Sequence, residues 1–194
     1  MMLFLQSSPS PVDGELFVLD SNIWLPILGY DNNNLSEHYK NYFDKIIKSE
    51  NCKILISPLQ ISEIFNRWLR FHAFKQYEKD HRPTEFKEYY KSNYRKSADF
   101  ISKYKLIKEE LENYLEKFEI QELQEVSYES ITNFPADQLD FNDNYIYLFA
   151  KQHNATLITD DGDYRNLDFK LATYNKKLYT AYKDNIKPTV NFYP

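Results

Sequence analysis

The fold is decided by residues 140–161, which read DFNDNYIYLFAKQHNATLITDD. The first part predicts a helix from about Asp140 to His153, because an aspartate that can cap a helix is followed by apolar residues at helical spacing. The second part, TLIT at 156–159, is a short apolar run typical of a buried strand, and it stops at Asp160. A helix leading into a strand that ends in a carboxylate indicates an α/β protein.

The same alternation continues on both sides of this stretch. Buried strands are predicted at Glu15–Asp20 (ELFVLD), Lys53–Ser57 (KILIS) and Lys170–Tyr174. Amphipathic or well-capped helices are predicted at Tyr39–Lys48, from Ser57 to Phe74, and at Asn175–Lys183. Strands that alternate with helices favour a parallel sheet covered on both faces. The sequence therefore predicts a three-layer α/β/α fold with a short sheet of four or five strands and a helical elaboration.

Length and composition predict one domain over residues 1–194. A hydrophobic fraction of 42% excludes a disordered protein. Residues 1–14 carry serine and proline clusters and are predicted to form a loose leader, while residues 67–125 form a helical, basic and aromatic elaboration within the domain. Apolar residues recur at three- and four-residue steps from Tyr94 to Phe118, which predicts one long helix.

Several protein classes are excluded by residue counts. The single cysteine, Cys52, excludes a disulfide framework and a cysteine-rich zinc site. Only three glycines are present, which excludes a glycine-rich phosphate loop. No apolar run approaches the ~20 residues that span a bilayer, and Met1–Leu5 lacks the basic start of a signal peptide. We therefore expect a cytoplasmic protein without a membrane segment.

Carboxylates fall at the ends of the predicted strands. Asp20 ends the first strand, Asp160 and Asp161 end the third, Glu63 lies in the helix after the second, and Asp143 lies in the helix before the third. Ligands of open α/β sheets bind outside the carboxyl ends of the strands. Acids gathered there repel one another, and oxygen ligands suit Mg²⁺ or Mn²⁺. Such a cluster can support displacement at a phosphodiester.

These residues resemble the PIN-domain ribonucleases, including their VapC-toxin-like members. The resemblance rests on VLDSN at 18–22, SPLQISEI at 57–64, and Asp143 followed by NYIYLFAKQHNATLITDD. It implies a metal-dependent endoribonuclease, a hydrolase in which four acids bind the metal directly or through water: Asp20, Glu63, Asp143 and Asp161. The supporting residues that it implies are Asn22, Thr159, Asp140 and Asp163. It also implies a toxin-like role restrained by an antitoxin-like partner, and it leaves a homodimer open.

Positive charge is concentrated away from the acids. Between Arg67 and Lys108 there are 12 basic residues and 5 acidic ones, although the whole chain has a net charge of −5. A basic surface beside an acidic site can guide a phosphate backbone, and exposed members of the set Tyr77, Phe86, Tyr89, Tyr90 and Tyr94 can stack unpaired bases. We expect single-stranded or structured RNA as the partner, with these contact candidates: Arg67, Arg70, Lys75, Arg95 and Lys96.

Simpler explanations exist for each acid. Asp20 can cap the following helix, and Glu63 can pair with Arg67 one turn along. Asp140 fits a helix cap that forms a capping box with Asp143. The Asp160–Asp163 run can be a surface turn. A PIN-like module that binds RNA or a protein without cleaving is therefore the alternative function.

Overall fold

The computed structural model describes residues 2–29, 37–80, 84–165 and 167–185. The strands in these residues are β1 (Met2–Phe4), β2 (Leu16–Leu19), β3 (Lys53–Ile56), β4 (Phe118–Ile120), β5 (Thr156–Ile158) and β6 (Leu171–Thr173). The helices are α1 (Ser21–Ile27), α2 (Glu37–Lys48), α3 (Pro58–Lys79), α4 (Phe86–Ser92), α5 (Ala98–Glu112), α6 (Tyr128–Thr132), α7 (Phe141–Gln152) and α8 (Lys176–Asn185). Among these helices, none is both long and apolar enough to cross a lipid bilayer.

The strands form one parallel sheet in the order β1-β6-β5-β2-β3-β4. Strand β2 is central, and its Val18 pairs with Leu55 of β3 and Leu157 of β5. Because all three strands run in the same direction, their carboxyl ends meet at one edge of the sheet. Residues that follow these strands are therefore brought together by the fold.

Apolar residues alternate along the central strands and give the sheet two buried faces. Phe17 and Leu19 of β2 pack into a cluster with residues of α1, α2, α3 and α5. Val18 points to the opposite face and packs with residues of α7 and α8, including Phe149 and Leu178. The predicted α/β class and its three-layer α/β/α arrangement are confirmed.

The sheet has six strands rather than four or five, and one of the additional strands comes from the predicted leader. Met2, Leu3 and Phe4 pair with residues of β6, and the ring of Phe4 stacks on that of Tyr179 at 4.2 Å. The prediction of a loose leader is wrong for this part, because Met2–Phe4 add an edge strand to the sheet and Leu5 is buried in the core. Met1 lies outside the described residues.

The other additional strand interrupts the predicted long helix. Helix α5 ends at Glu112, a short 3₁₀ helix spans Leu115–Lys117, and Phe118 then begins β4. The ring of Phe118 packs edge-on against Trp24 at 5.3 Å, and the strand pairs with β3. Burial against Trp24 therefore overrides the helical periodicity, and this part of the 67–125 elaboration belongs to the sheet.

Helices α4 and α5 form the main part of the elaboration and pack against α3. The indole Nε1 of Trp68 in α3 donates to the carbonyl of Lys103 in α5 at 3.2 Å. A separate apolar cluster contains Tyr89, Tyr90 and Tyr94. Tyr89, Tyr90 and Tyr94 are all buried in this cluster, so these three are not among the exposed aromatic residues that were expected to stack bases.

Candidate active site

Asp20 lies at the carboxyl end of the central strand and is only 4% exposed. Its side chain makes no hydrogen bond that would cap helix α1. Instead, its Oδ2 accepts hydrogen bonds from Nδ2 of Asn22 at 2.9 Å and from Oγ1 of Thr159 at 2.7 Å. Asp20 therefore occupies the N-cap position of α1 but does not cap the helix through its side chain, and its carboxylate is held by polar groups from two adjacent strand ends.

Thr159 connects this carboxylate to the loop after β5. Its Oγ1 accepts a hydrogen bond from the backbone N–H of Asp161 at 2.9 Å, and another from Nδ2 of Asn22 at 3.3 Å. Asp161 in turn accepts from the backbone N–H of Asp163 at 2.9 Å and caps the 3₁₀ helix Gly162–Tyr164. The side chain of Asp163 itself is exposed.

Asp160 and Asp161 have different surroundings, although they are adjacent. The hydroxyl of the buried Tyr39 donates to Oδ1 of Asp160 at 2.6 Å, and the same hydroxyl accepts from the backbone N–H of Tyr174 at 2.8 Å. The Asp160 side chain is thus tied to α2 and the end of β6. Asp161 is the one linked to Thr159 and, through it, to Asp20.

Asp143 lies in the first turn of α7 and forms a capping box with Asp140. The backbone N–H of Asp143 donates to Oδ1 of Asp140 at 2.9 Å, and the backbone N–H of Asp140 donates to Oδ2 of Asp143 at 3.1 Å. The predicted capping box is confirmed. One oxygen of Asp143 is occupied by this contact, so Asp140 fixes how the Asp143 side chain is oriented.

Glu63 lies near the start of α3, which begins with a capping box between Ser57 and Gln60. Its Oε2 accepts from Oγ of Ser21 at 2.8 Å, so it approaches the residue next to Asp20. Its Oε1 pairs with Nη2 of Arg67 at 2.6 Å, with side-chain exposures of 10% and 52%. The ion pair predicted as the simpler explanation for Glu63 is therefore present together with its contact to the site.

Burial and mutual repulsion disfavour the ionised forms of two acids. Burial, opposed by the hydrogen bond from Thr159 and reinforced by the charges of Asp143 and Asp161, raises the pKa of Asp20 from 3.8 to about 7. Burial, with the charges of Asp140 and Asp161, raises the pKa of Asp143 to about 6. Asp20, Asp143 and Asp161 therefore lie close enough to repel one another.

Two polar residues of this region were missed by the sequence reasoning. Ser21 holds Glu63, and Tyr164 is buried beneath the acids. Burial raises the pKa of the Tyr164 hydroxyl well above its usual range, and the charges of Asp20, Asp143, Asp161 and Asp140 raise it further. The only sequence signals were a serine directly after Asp20 and a tyrosine three residues after Asp161.

The donor atoms of the acids suit a hard divalent cation, because all of them are oxygens. In the described part of the chain, no lysine or arginine forms an ion pair with Asp20, Asp143 or Asp161. In the same residues, no three side chains of the metal-binding types are grouped closely enough to hold an ion as they stand. The acids fit a cation in charge and donor chemistry, but they would have to draw closer around it.

The predicted RNA contacts lie on the elaboration. Arg70 is exposed and its guanidinium lies 5.4 Å from the centre of the Tyr90 ring, while Lys75 lies over Phe71 at 3.9 Å. Arg95 and Lys96 are exposed in the 3₁₀ helix between α4 and α5. Arg67, in contrast, is engaged with Glu63. Each of these residues except Arg67 therefore presents its charge outside the acidic site.

Comparison with known proteins identifies the family. The crystal structure of VapBC2 from Rickettsia felis, bound to a DNA fragment from its promoter, is similar over 81% of this chain and 98% of that chain, with 18% identity and a TM-score of 0.46. A likeness at this level says nothing about what the chain binds. No curated protein matches the chain at a significant level. The PIN domain family model matches residues 17–170, a range that contains every candidate acid, and the chain therefore belongs to the PIN-domain family.

Proposed function

We propose that this chain is a divalent-metal-dependent endoribonuclease that hydrolyses RNA phosphodiester bonds, with Asp20, Glu63, Asp143 and Asp161 as its metal-binding acids. PIN domains are generally nucleases and usually use divalent metal ions. The observation that carries the proposal is the mutual repulsion of three acids that have no paired cation among the described residues. Such an arrangement costs folding free energy unless a bound cation relieves it.

The chain's own residues would hold the acids in place. Asn22 and Thr159 orient Asp20, Asp140 orients Asp143, and Ser21 orients Glu63. A bound Mg²⁺ or Mn²⁺ would stabilise the charge that develops on the phosphate and lower the pKa of the attacking water. Asp163 would contribute through its backbone N–H, which fixes Asp161.

Arg67 would have a second role. It neutralises Glu63 in this structure, and half of its side chain is exposed, so it is free to rotate onto an incoming phosphate. Arginine recognises phosphate oxygens through paired hydrogen bonds. Transfer of Arg67 from Glu63 to the substrate would leave Glu63 available as a metal ligand when RNA is present.

The test is cleavage of a fluorescein-labelled single-stranded RNA in the presence of Mn²⁺. Asp143→Asn keeps the shape of the side chain but removes its charge, and we expect the rate to fall by more than about 100-fold, the scale on which a single electrostatic catalytic group acts. Binding of the RNA should persist. The control is Asp160→Asn, because the Asp160 side chain is tied to Tyr39 and should leave cleavage unchanged. Equal rates for Asp143→Asn and the wild type would contradict the proposal.

The same proposal includes a toxin-like role in the cytoplasm, with an antitoxin-like protein as the restraining partner. Support comes from membership in the PIN-domain family, whose members are generally nucleases. Induced expression in a bacterial host should arrest growth with the wild-type chain and not with Asp143→Asn. Normal growth in both cases, at matched protein levels, would count against the toxin-like role.

The second candidate is a PIN-like module that binds RNA or a protein without cleaving. Two observations favour it: the ion pair between Glu63 and Arg67, and the spacing of the acids, which in the described residues does not bring three together around one point. Unchanged RNA binding without any Mn²⁺-dependent cleavage by the wild type would select this candidate.

A further inference from the structure

A cavity of about 660 Å³ lies between α3 and the helical elaboration, beside the acidic site. Its apolar lining comes from Ile61, Phe65 and Leu69 of α3, and aromatic rings close it from the other side. The ring of Tyr104 in α5 is 47% exposed and lies 5.3 Å from that of Phe65. The cavity is within the size range of small-ligand sites, and its flat aromatic faces suit a planar ring.

The polar part of the lining is positively charged. Arg70 of α3, Lys91 of α4 and Arg95 of the following 3₁₀ helix all line the cavity, and all three are exposed. None of the described residues that line the cavity is acidic. An aromatic, apolar floor with a cationic rim matches the base and the phosphate of a nucleotide, respectively.

The walls are fixed by contacts within the chain. Trp68 donates to the carbonyl of Lys103 and joins α5 to α3. The hydroxyl of Tyr94 donates to Oδ2 of Asp99 at 2.6 Å, and Ser97 caps α5 by accepting from the backbone N–H of Phe100 at 3.1 Å. The cavity is thus formed before any ligand arrives, which reduces the entropic cost of binding.

A path connects this cavity to the acids. A second, smaller cavity of about 310 Å³ shares Ser62, Asn66 and Arg70 with the first, and it is also lined by Glu63 and by Asn142, the neighbour of Asp143. Glu63 and Arg70 are seven residues apart on one helix, which corresponds to roughly 10 Å along its axis. A short single-stranded segment can span that distance.

We propose that the cavity between α3 and the elaboration is a nucleotide-binding subsite, which holds one unpaired base of a single-stranded RNA whose backbone continues over Arg70 to the acids. The base would stack on the exposed ring of Tyr104 beside Phe65, and Arg95 and Lys91 would contact the flanking phosphates. This inference rests on the proposed function for its substrate, but it adds where the substrate lies and why it must be unpaired. A duplex cannot turn one base out of its stack and onto Tyr104 without losing pairing.

The test measures binding separately from cleavage. All proteins carry Asp143→Asn so that the RNA stays intact, and the probe is a fluorescein-labelled single-stranded RNA followed by fluorescence anisotropy. We expect Tyr104→Ala to weaken binding about tenfold, because a stacked base contributes on that scale. Arg95→Ala should lower the slope of log affinity against log salt by about 0.7, the contribution of one phosphate contact on a single strand. The control is Lys105→Ala, which removes an exposed charge from α5 outside the cavity.

The outcomes separate this proposal from the proposed function. If Tyr104→Ala and Arg95→Ala bind like Lys105→Ala, or if none of the proteins binds the RNA, the subsite is overturned even where the wild type cleaves RNA. If both variants weaken binding while the wild type never cleaves, the subsite stands and the nuclease proposal fails. Equal affinity for the single strand and for its duplex would also overturn the subsite. The subsite would also be overturned if these substitutions weakened the binding of poly-glutamate but not of RNA. That result would identify an acidic protein segment as the occupant.

Discussion

Replacing Asp20 with asparagine should stabilise the folded chain at neutral pH when no divalent ion is present. Asparagine keeps an oxygen that can accept from Asn22 and Thr159, but it carries no charge. Because burial raises the pKa of Asp20 from 3.8 to about 7, the folded state binds a proton more tightly than the unfolded state. The stability from this proton is complete below pH 3.8 and is lost as the pH rises to 7.

The magnitude follows from the size of the pKa change. Each unit of difference between the pKa of 3.8 in the unfolded chain and the pKa of about 7 in the folded chain corresponds to about 1.4 kcal/mol. Ionisation of Asp20 therefore lowers the free energy of unfolding by about 4 kcal/mol by pH 8. We therefore expect Asp20→Asn to exceed the wild type in free energy of unfolding by up to about 4 kcal/mol at pH 8. At pH 4 the two proteins should differ little.

The assay is urea unfolding, followed by circular dichroism, across pH 4–8 in the presence of a chelator. The matched control is Asp44→Asn, an exposed aspartate on α2, which should follow the wild type at every pH. Two results would refute the conclusion that the Asp20 carboxylate is destabilised by burial and repulsion. One is that Asp20→Asn is less stable than the wild type at pH 8, and the other is that the difference in free energy of unfolding does not change with pH.

Three further predictions concern the same site. Mn²⁺ at 100 times its dissociation constant should raise the wild-type free energy of unfolding by about 2.7 kcal/mol. Asp161→Asn should lose this gain, and Asp160→Asn should keep it. Equal gains for the two variants in a thermal-shift titration would contradict the assignment of Asp161 as a metal ligand. Thr159→Val removes the hydroxyl that donates to the Asp20 carboxylate. We expect urea unfolding to show a free energy of unfolding that is lower by about 2 kcal/mol at pH 8 and by less at pH 4. A loss that does not depend on pH would indicate an effect on packing alone. Arg67→Gln should change the free energy of unfolding by less than about 1 kcal/mol, as for other partly exposed i,i+4 pairs. It should strengthen Mn²⁺ binding, because Glu63 is no longer paired with Arg67. Weaker Mn²⁺ binding in calorimetry would argue against Glu63 as a metal ligand.

Local chemistry explains why part of this structure could be predicted from the sequence. The capping boxes at Ser57 and Asp140 depend on residues three positions apart, and such signals need no tertiary information. The placement of Asp20 at the end of a buried strand follows from a short apolar run that stops at a carboxylate. The metal-binding role of the acids stays a prediction, although their convergence on one sheet edge follows from the parallel topology.

The missed features all depend on distant parts of the chain. Strands β1 and β4 are three residues long, and each is stabilised by a neighbouring strand and by rings such as Tyr179 and Trp24 that no local pattern reveals. The contact from Ser21 to Glu63 joins residues 42 positions apart. Whether Glu63 faces Arg67, the site, or both cannot be read from a spacing of four residues.

The order of the strands has a consequence for how the protein is made. Strand β2 pairs with β5, and β1 pairs with β6, so the two strands of each of these pairs are separated by most of the polypeptide. Sheets built from such remote pairings close late, because the ends of long loops must meet first. During translation Asp20 leaves the ribosome long before Asp161 can join it, so the acidic cluster is assembled only after β5 and the loop that follows it have been made.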